Sequence, residues 1–172
     1  KIIDPETLEE LAPNEDGLII ASGPNVMKGY LNNPEKTAEV MVNINGRDWY
    51  KTGDKGHMDE DGFITIVDRY SRFAKLGGEM VSLTAVENKI YEFLGDIEDI
   101  KLVCVNMPDP KKGEKIILVM EKEIEDLKSK LIEFGMNPLW IPADIKIVDQ
   151  VPVLGTGKIN FKGAKELVKT LL

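Results

Sequence analysis

Residues 68–87 read D-R-Y-S-R-F-A-K-L-G-G-E-M-V-S-L-T-A-V-E, and no other stretch constrains the chain as much. Arg69, Arg72 and Lys75 stand at near-alternating positions ahead of a break at Gly77 and Gly78, and a helix is expected to restart at Ser82 or Thr84. A Gly-Gly pair gives a tight loop its backbone freedom and lets another molecule come close to the main chain. Cations just before such a loop suit an anionic visitor such as a phosphate, a carboxylate or a nucleotide. A surface hairpin with ordinary solvated charge fits the same residues equally well.

The flanking sequence shows what can be organised around that stretch. Upstream, residues 17–22 read as a short apolar strand closed by Gly23 and Pro24. Asn33 and Pro34 open a short helix reaching about Met41, with Asn as cap and Pro at the first helical position. Residues 49–51 form a strand entering Thr52, Gly53 and Asp54; residues 59–62 make a turn and residues 63–67 the return strand. Downstream, Val86, Ile90 and Leu94 stripe a helix ended by Gly95. Residues 100–106 and 115–120 are apolar strands around a turn at 108–113, and Ile124, Leu127, Leu131 and Phe134 stripe a second helix stopped by Gly135. Residues 144–148 give another strand. A last helix starts near Ile159 with Asn160 as cap and Ala164, Leu167, Val168 and Leu171 on its apolar face. The expected fold class is α+β: a small β-rich subdomain at residues 1–68, then a compact α+β domain at residues 69–172 with a short sheet flanked by helices.

Charge divides the chain at the same place. Residues 1–68 hold 6 Lys/Arg against 14 Asp/Glu, whereas residues 69–172 hold 16 of each, so the net −8 belongs to the first part. That acidity, with no recognisable nucleic-acid motif, argues against DNA or RNA as a partner. No apolar run approaches the ~18–20 residues that span a bilayer, and no signal peptide is expected within these residues. The single Cys104 lies in an apolar run, which points to a buried thiol and fits a reducing compartment. With His57 as the only histidine, a His-based metal cluster is excluded and no Cys/His nucleophile pair is obvious, and His57 reads as a strand residue. A His-x4-Asp acyltransferase signature also fails, because its Asp position is Gly62. The chain starts at Lys1 without methionine and reads as a piece of something longer.

One further candidate is V-P-V-L-G-T-G-K at residues 151–158. It looks like a phosphate-binding P-loop but lacks two of its parts: Pro152 stands where the first Gly belongs, and Ile159 replaces the Ser/Thr that would hold magnesium. Taken alone, it is a glycine-rich connector ending in a solvated Lys158.

The order of the pieces decides more than any one of them. The strand at 17–22 with G-P-N-V-M-K-G-Y at 23–30, then W-Y-K-T-G-D at 49–54, then D-G-F at 61–63, Asp68-Arg69, K-L-G-G at 75–78 and Glu87, then Pro152 through Gly157-Lys158, follow the order of the acyl-adenylate-forming superfamily. Acyl-CoA synthetases, luciferases and peptide-synthetase adenylation domains belong to it. The resemblance covers essentially the whole chain. More narrowly, R-F-A-K-L-G-G-E-M-V-S-L at 72–83 together with G-P-N-V-M-K-G-Y at 23–30 resembles the C-terminal part of the bacterial bifunctional acyl-[acyl-carrier-protein] synthetase / 2-acylglycerophosphoethanolamine acyltransferase family.

That resemblance implies roles. Asp54 and Arg69 would contact the ribose of the nucleotide, and Lys158 would be the catalytic lysine touching the substrate carboxylate and the α-phosphate. Lys75, Gly77, Gly78 and Glu79 would form the loop beside the phosphopantetheine thiol. Ser71 would be the hinge of a mobile lid domain, at a position where the family usually has Asp or Lys. No metal ligand is implied here: the full-length enzyme would use ATP and Mg, and neither is expected on this chain alone. The phosphate loop, adenine shelf, magnesium glutamate, most of the acyl pocket and the acyltransferase domain would lie upstream. Partners would be acyl carrier protein, with CoA as the alternative, a fatty acid, and lysophospholipid through the upstream domain. The setting would be cytoplasmic, with the full-length enzyme at the inner face of the bacterial inner membrane. A fatty acyl-CoA synthetase, a non-catalytic carrier-docking module and a nucleotide sensor are the rival readings. An acidic carrier would want a basic face, expected from Arg72 and Lys75 with Lys111 and Lys112.

Overall fold

The computed structural model describes residues 1–95 and 100–172, and it divides after Ser71 into two units, Lys1–Ser71 and Arg72–Leu172. The architecture is α+β, with one small sheet in each unit and four helices in all among the described residues.

The first unit hangs on one long strand, β4 (Arg47–Met58). β3 (Met41–Ile44) folds back on it through Asn45 and Gly46, whose φ values of 53° and 80° suit the two-residue turn that matches strand twist. β2 (Gly17–Ala21) pairs antiparallel with β4 and with β1 (Ile2–Ile3), while β5 (Ile64–Arg69) pairs with the far end of β4. The β4–β5 register shifts between Lys55 and Gly56, where a Cβ on Gly56 would come within 2.2 Å of the Thr65 carbonyl oxygen; only glycine fits that approach. Ile3, Leu18, Ile20 and Trp49 form the core. The helix α1 (Pro34–Val40) buries no side chain and depends on its cap, the Asn33 side chain accepting from the Lys36 N–H at 2.9 Å.

In the second unit, β6 (Phe73–Leu76) and β7 (Glu79–Ser82) form a hairpin followed by α2 (Leu83–Leu94). Next come β8 (Leu102–Asp109), β9 (Gly113–Met120), α3 (Leu127–Glu133), β10 (Asp144–Ile147) and α4 (Phe161–Leu171). β9 is the centre: β8 pairs with it antiparallel along its whole length, β10 pairs parallel, and β6 joins at Leu76–Gly113. β8 is continuously apolar over Leu102–Val105 and β9 over Ile116–Met120, where both faces are covered. Leu102, Cys104, Ile116, Leu118 and Met120 pack with α2 and α3, while Val103, Val105, Ile117 and Val119 pack with Ala164 and Val168 of α4. Each such side chain contributes about 1.5–3 kcal/mol of burial.

The helices begin where their caps direct. Ser82 accepts from the Ala85 N–H at 3.0 Å and Asn160 from the Gly163 N–H at 2.9 Å, while Gly95 ends α2 with φ of 57°. The second predicted helix is shorter than its stripe implied: Ile124 precedes α3 yet still packs on its core, and Phe134 is half-exposed just after it. Leu171, expected on the apolar face of α4, is also half-exposed. No helix among the described residues is long and apolar enough to cross a membrane.

Candidate functional site

Asp54 and Arg69 meet because the β4–β5 register sets them opposite one another. Cross-strand partners share a face, and Arg69 Nε donates to Asp54 Oδ1 at 2.9 Å while Nη2 donates to the Thr52 carbonyl at 3.0 Å. Between them Gly53 sits at φ of 79°, and the Thr52 hydroxyl, which donates to the Ile19 carbonyl, accepts from the Asp54 N–H. The Arg69 side chain is 58% exposed, so this pair is worth no more than about 1 kcal/mol and can be exchanged for another partner.

Lys75, Gly77, Gly78 and Glu79 belong to the β6–β7 hairpin of the second unit. Its two-residue loop has φ of 59° and 100° at the glycines, and a Cβ on either would meet nothing within 4 Å. Backbone conformation alone requires glycine there; the space is open. The Gly77 N–H donates to the Lys112 carbonyl at 3.0 Å, which sets the β8–β9 turn beside this loop. Lys75 pairs with Met80 and Leu76 with Glu79, so Lys75 and Glu79 fall on opposite faces of the hairpin.

Lys158 ends a small hairpin of its own. Val153 and Ile159 form a bridge, Leu154 N–H donates to the Lys158 carbonyl and Gly157 N–H to the Leu154 carbonyl, both at 2.8 Å, with Gly157 at φ of 81°. The base is pinned: Asn160 N–H donates to the Pro152 carbonyl while its side chain caps α4. Lys158 is exposed, and among the described residues its ammonium has no ion-pair partner. Asp54 and Arg69 thus belong to the first unit, and Lys158 and the glycine hairpin to the second. Ser71, in the single 3-10 turn Tyr70–Arg72, is exposed and is the last residue of the first unit.

Arg72 requires a correction. It is not a surface cation beside the glycine loop: it is 3% exposed. Its Nη1 donates to the Cys104 carbonyl at 2.8 Å, Nη2 pairs with Glu87 Oε1, and the guanidinium carbon lies 4.0 Å from the Phe161 ring centroid. The same Glu87 oxygen accepts from the Cys104 N–H at 2.6 Å. Arg72 ends the 3-10 turn just before β6 and lies three positions from both Arg69 and Lys75, so it faces inward where those two face out. A sign was available in α2: Glu87 stands four residues after Leu83 and three before Ile90, on the buried stripe, where a carboxylate needs a partner. Burial pushes the Cys104 thiol well above its ordinary range, with Glu87 adding to the shift.

The basic turn keeps Lys111 and Lys112 exposed. Their backbone N–H groups both donate to Asp109 Oδ1 at 2.9 Å, and these bonds, Lys112's first, hold the Asp109 carboxyl below its usual range. His57 lies on β4 with Nδ1 2.8 Å from Asp16 Oδ1, and this contact, ahead of the Lys55 bond, lowers the Asp16 carboxyl. Among the described residues no group of three or more His, Cys, Asp or Glu side chains could hold a metal ion, so no magnesium site is assigned to them.

No protein-family model matches the chain. Individual proteins do. It is 36% identical over 157 residues to a feruloyl-CoA synthase of an Amycolatopsis species, covering 88% of this chain and 30% of that protein. It is 38% identical over 164 residues to a long-chain-fatty-acid–CoA ligase of Bacillus subtilis, covering 92% of this chain and 28% of the ligase. Among solved structures, ATP-bound MatB from Rhodopseudomonas palustris superimposes with a TM-score of 0.77 at 26% identity, over 99% of this chain and 34% of MatB. The chain therefore spans about a third of the length of the proteins it matches.

Proposed function

The chain belongs to the acyl-adenylate-forming superfamily, and from that premise we propose that it is the C-terminal part of an ATP-dependent acid–thiol ligase. In this reading a carboxylate oxygen attacks the α-phosphorus of ATP, the new O–P bond forms as the bond to pyrophosphate breaks, and acyl-AMP results. A thiol sulfur then attacks the acyl carbonyl, the C–S bond forms, AMP leaves and the thiol proton passes to water. Two anions must meet in the first step, and the Lys158 ammonium neutralises charge where they join. Asp54 holds the ribose hydroxyls, and Arg69 turns from Asp54 to the nucleotide. The Gly77–Gly78 backbone admits the pantetheine arm in the second step, and rotation at Ser71 exchanges the two loops.

The observation that carries the reading is the Lys158 hairpin: an ammonium without an ion-pair partner among the described residues, on a turn whose base is pinned to a helix. It is tested in the full-length enzyme. Lys158→Ala should slow ATP–pyrophosphate exchange by roughly 10²–10³-fold, the cost of one preorganised charge donor, and leave thioester formation from supplied acyl-AMP nearly intact. Gly78→Leu, strained at φ of 100°, should do the reverse. Equal damage to both steps by both variants would overturn the assignment.

The acceptor divides the reading further. An acyl carrier protein, with a fatty acid as substrate and lysophospholipid re-acylation at the cytoplasmic membrane face as the outcome, is supported by the residue pattern at 72–83. CoA as acceptor is supported by the names of the relatives, a feruloyl-CoA synthase and a fatty-acid–CoA ligase. Thioester formation measured with holo-carrier and with CoA separates them. Turnover on CoA alone would remove the carrier and the lysophospholipid together.

A further inference from the structure

We propose that Arg72 and Phe161 form the seat of the Lys158 hairpin, making Arg72 a positioning residue for the adenylation step; this rests on the role given to Lys158 above. Arg72 is a costly way to fill a core. A buried ion pair returns little net stability compared with apolar packing, and here Arg72 Nε, buried, has no hydrogen-bond partner among the described residues. What the guanidinium supplies instead is direction. Its rigid fork is fixed by Glu87 of α2 and by the Cys104 carbonyl of β8, and a fixed plane is what an aromatic ring can be laid against. Phe161 lies there, with the guanidinium carbon 4.0 Å from its centroid, inside the ~6 Å reach of a cation–π contact.

Phe161 is the first residue of α4 and stands three residues beyond Lys158. The hydrogen bonds of the Lys158 hairpin mostly close on the hairpin itself, joining Leu154 to Lys158, Gly157 to Leu154 and Asn160 to Pro152. One leg is tied outward, by Val151 N–H donating to Glu121 Oε1 at 2.8 Å. The other leg has Ile159 half-buried against the apolar core, a contact without directional preference, and then Phe161 on Arg72. Further along α4, Ala164 packs in the core and Lys165 Nζ donates to Asn106 Oδ1 at 2.8 Å, so the helix stays placed and its first residue is the one that rests on Arg72. Removing the ring lets the second leg shift while the sheet stays as it is.

The test is made in the full-length enzyme with Phe161→Ala and Phe161→Tyr, measuring ATP–pyrophosphate exchange and thioester formation from supplied acyl-AMP. Phe161 is 42% exposed, so its truncation leaves the core in place. Phe161→Ala should slow exchange about 10- to 100-fold, the loss expected from displacing a reacting group by about an ångström. Thioester formation should stay within about twofold of wild type, and Phe161→Tyr, which keeps the ring, should stay within about twofold in both steps. A Phe161→Ala enzyme that adenylates normally, loses both steps equally, or is matched in its loss by Phe161→Tyr overturns the inference. If Lys158→Ala remains selective in that same set, only the seat is wrong. A Lys158→Ala enzyme that adenylates normally overturns the seat and the proposed function together.

Discussion

Arg72 and Glu87 should behave as one unit in a double-mutant cycle, and the structure sets the size of the effect. They are 3% and 8% exposed, so removing either leaves the other as a buried charge. Such a loss costs about 3–5 kcal/mol, which is the expected fall in unfolding free energy for Arg72→Met and for Glu87→Leu separately. The double variant has neither charge. What it leaves without partners is the Cys104 N–H and C=O, now held by Glu87 and Arg72, at about 1–3 kcal/mol each. It should therefore cost about 2–6 kcal/mol where independent singles would cost about 6–10, a coupling of roughly 4 kcal/mol. The assay is urea unfolding of the second unit followed by Trp140 fluorescence in a Trp49→Phe background, because Trp49 belongs to the core of the first unit. Two units can unfold separately, so a probe confined to one is needed. Additivity of the two substitutions within about 0.5 kcal/mol would refute the buried pair.

Cys104, fully buried with its thiol pushed up by burial, should resist a disulfide reagent in the native protein and react with it in denaturant; fast native labelling would contradict its place in the core. Asp109 supplies a pH test: its folded value lies below the unfolded one of about 3.9, so its contribution to stability is present above that pH and is lost as pH falls through the lowered folded value. Asp109→Asn keeps an acceptor for the two lysine N–H groups but not the charge, so acid melts of variant and wild type should draw together as pH falls from about 3.9 and converge below the lowered folded value; a gap that widens over that fall would reject the turn geometry.

Most of the fold was legible because its signals are local. Asn33 with Pro34, Ser82 and Asn160 each cap the helix that follows, and the glycines at 62, 77 and 95 stand at positive φ where a turn or helix end was expected. The continuous apolar runs became β8 and β9 because both faces of that pair are covered, which a one-dimensional pattern can state without naming the covers. Long-range facts were less accessible. That β10 joins β9 in parallel, or that β4 runs for 12 residues past a register shift at Gly56, depends on pairing partners distant in the chain. Within the candidate site, Asp54 and Arg69 are joined by the same kind of register. Their roles were attached by resemblance, since two charged residues 15 apart do not by themselves announce a pair.

The misreading of Arg72 shows where residue type stops being informative. In an extended strand Arg72 would face away from Arg69 and Lys75, but a cation near a glycine loop reads naturally as surface charge. Three residues of 3-10 geometry, Tyr70–Arg72, replace that alternation with a turn of about 120° per residue, so the side-chain direction on entering β6 cannot be counted from β5. The burial of Arg72 was nonetheless implied 15 residues later. α2 presents Leu83, Val86, Ile90 and Leu94 to the core, and Glu87 lies inside that arc. A carboxylate there must find a cation or pay several kcal/mol, and in this unit the guanidinium of Arg72 is the group that reaches it. The charge that looked available for a partner is therefore committed to the interior, and of the four cations expected to form a basic face only Lys75, Lys111 and Lys112 are exposed, on two turns joined by the Gly77–Lys112 hydrogen bond. An acidic partner docking at these two turns would meet Lys75, Lys111 and Lys112 and not Arg72.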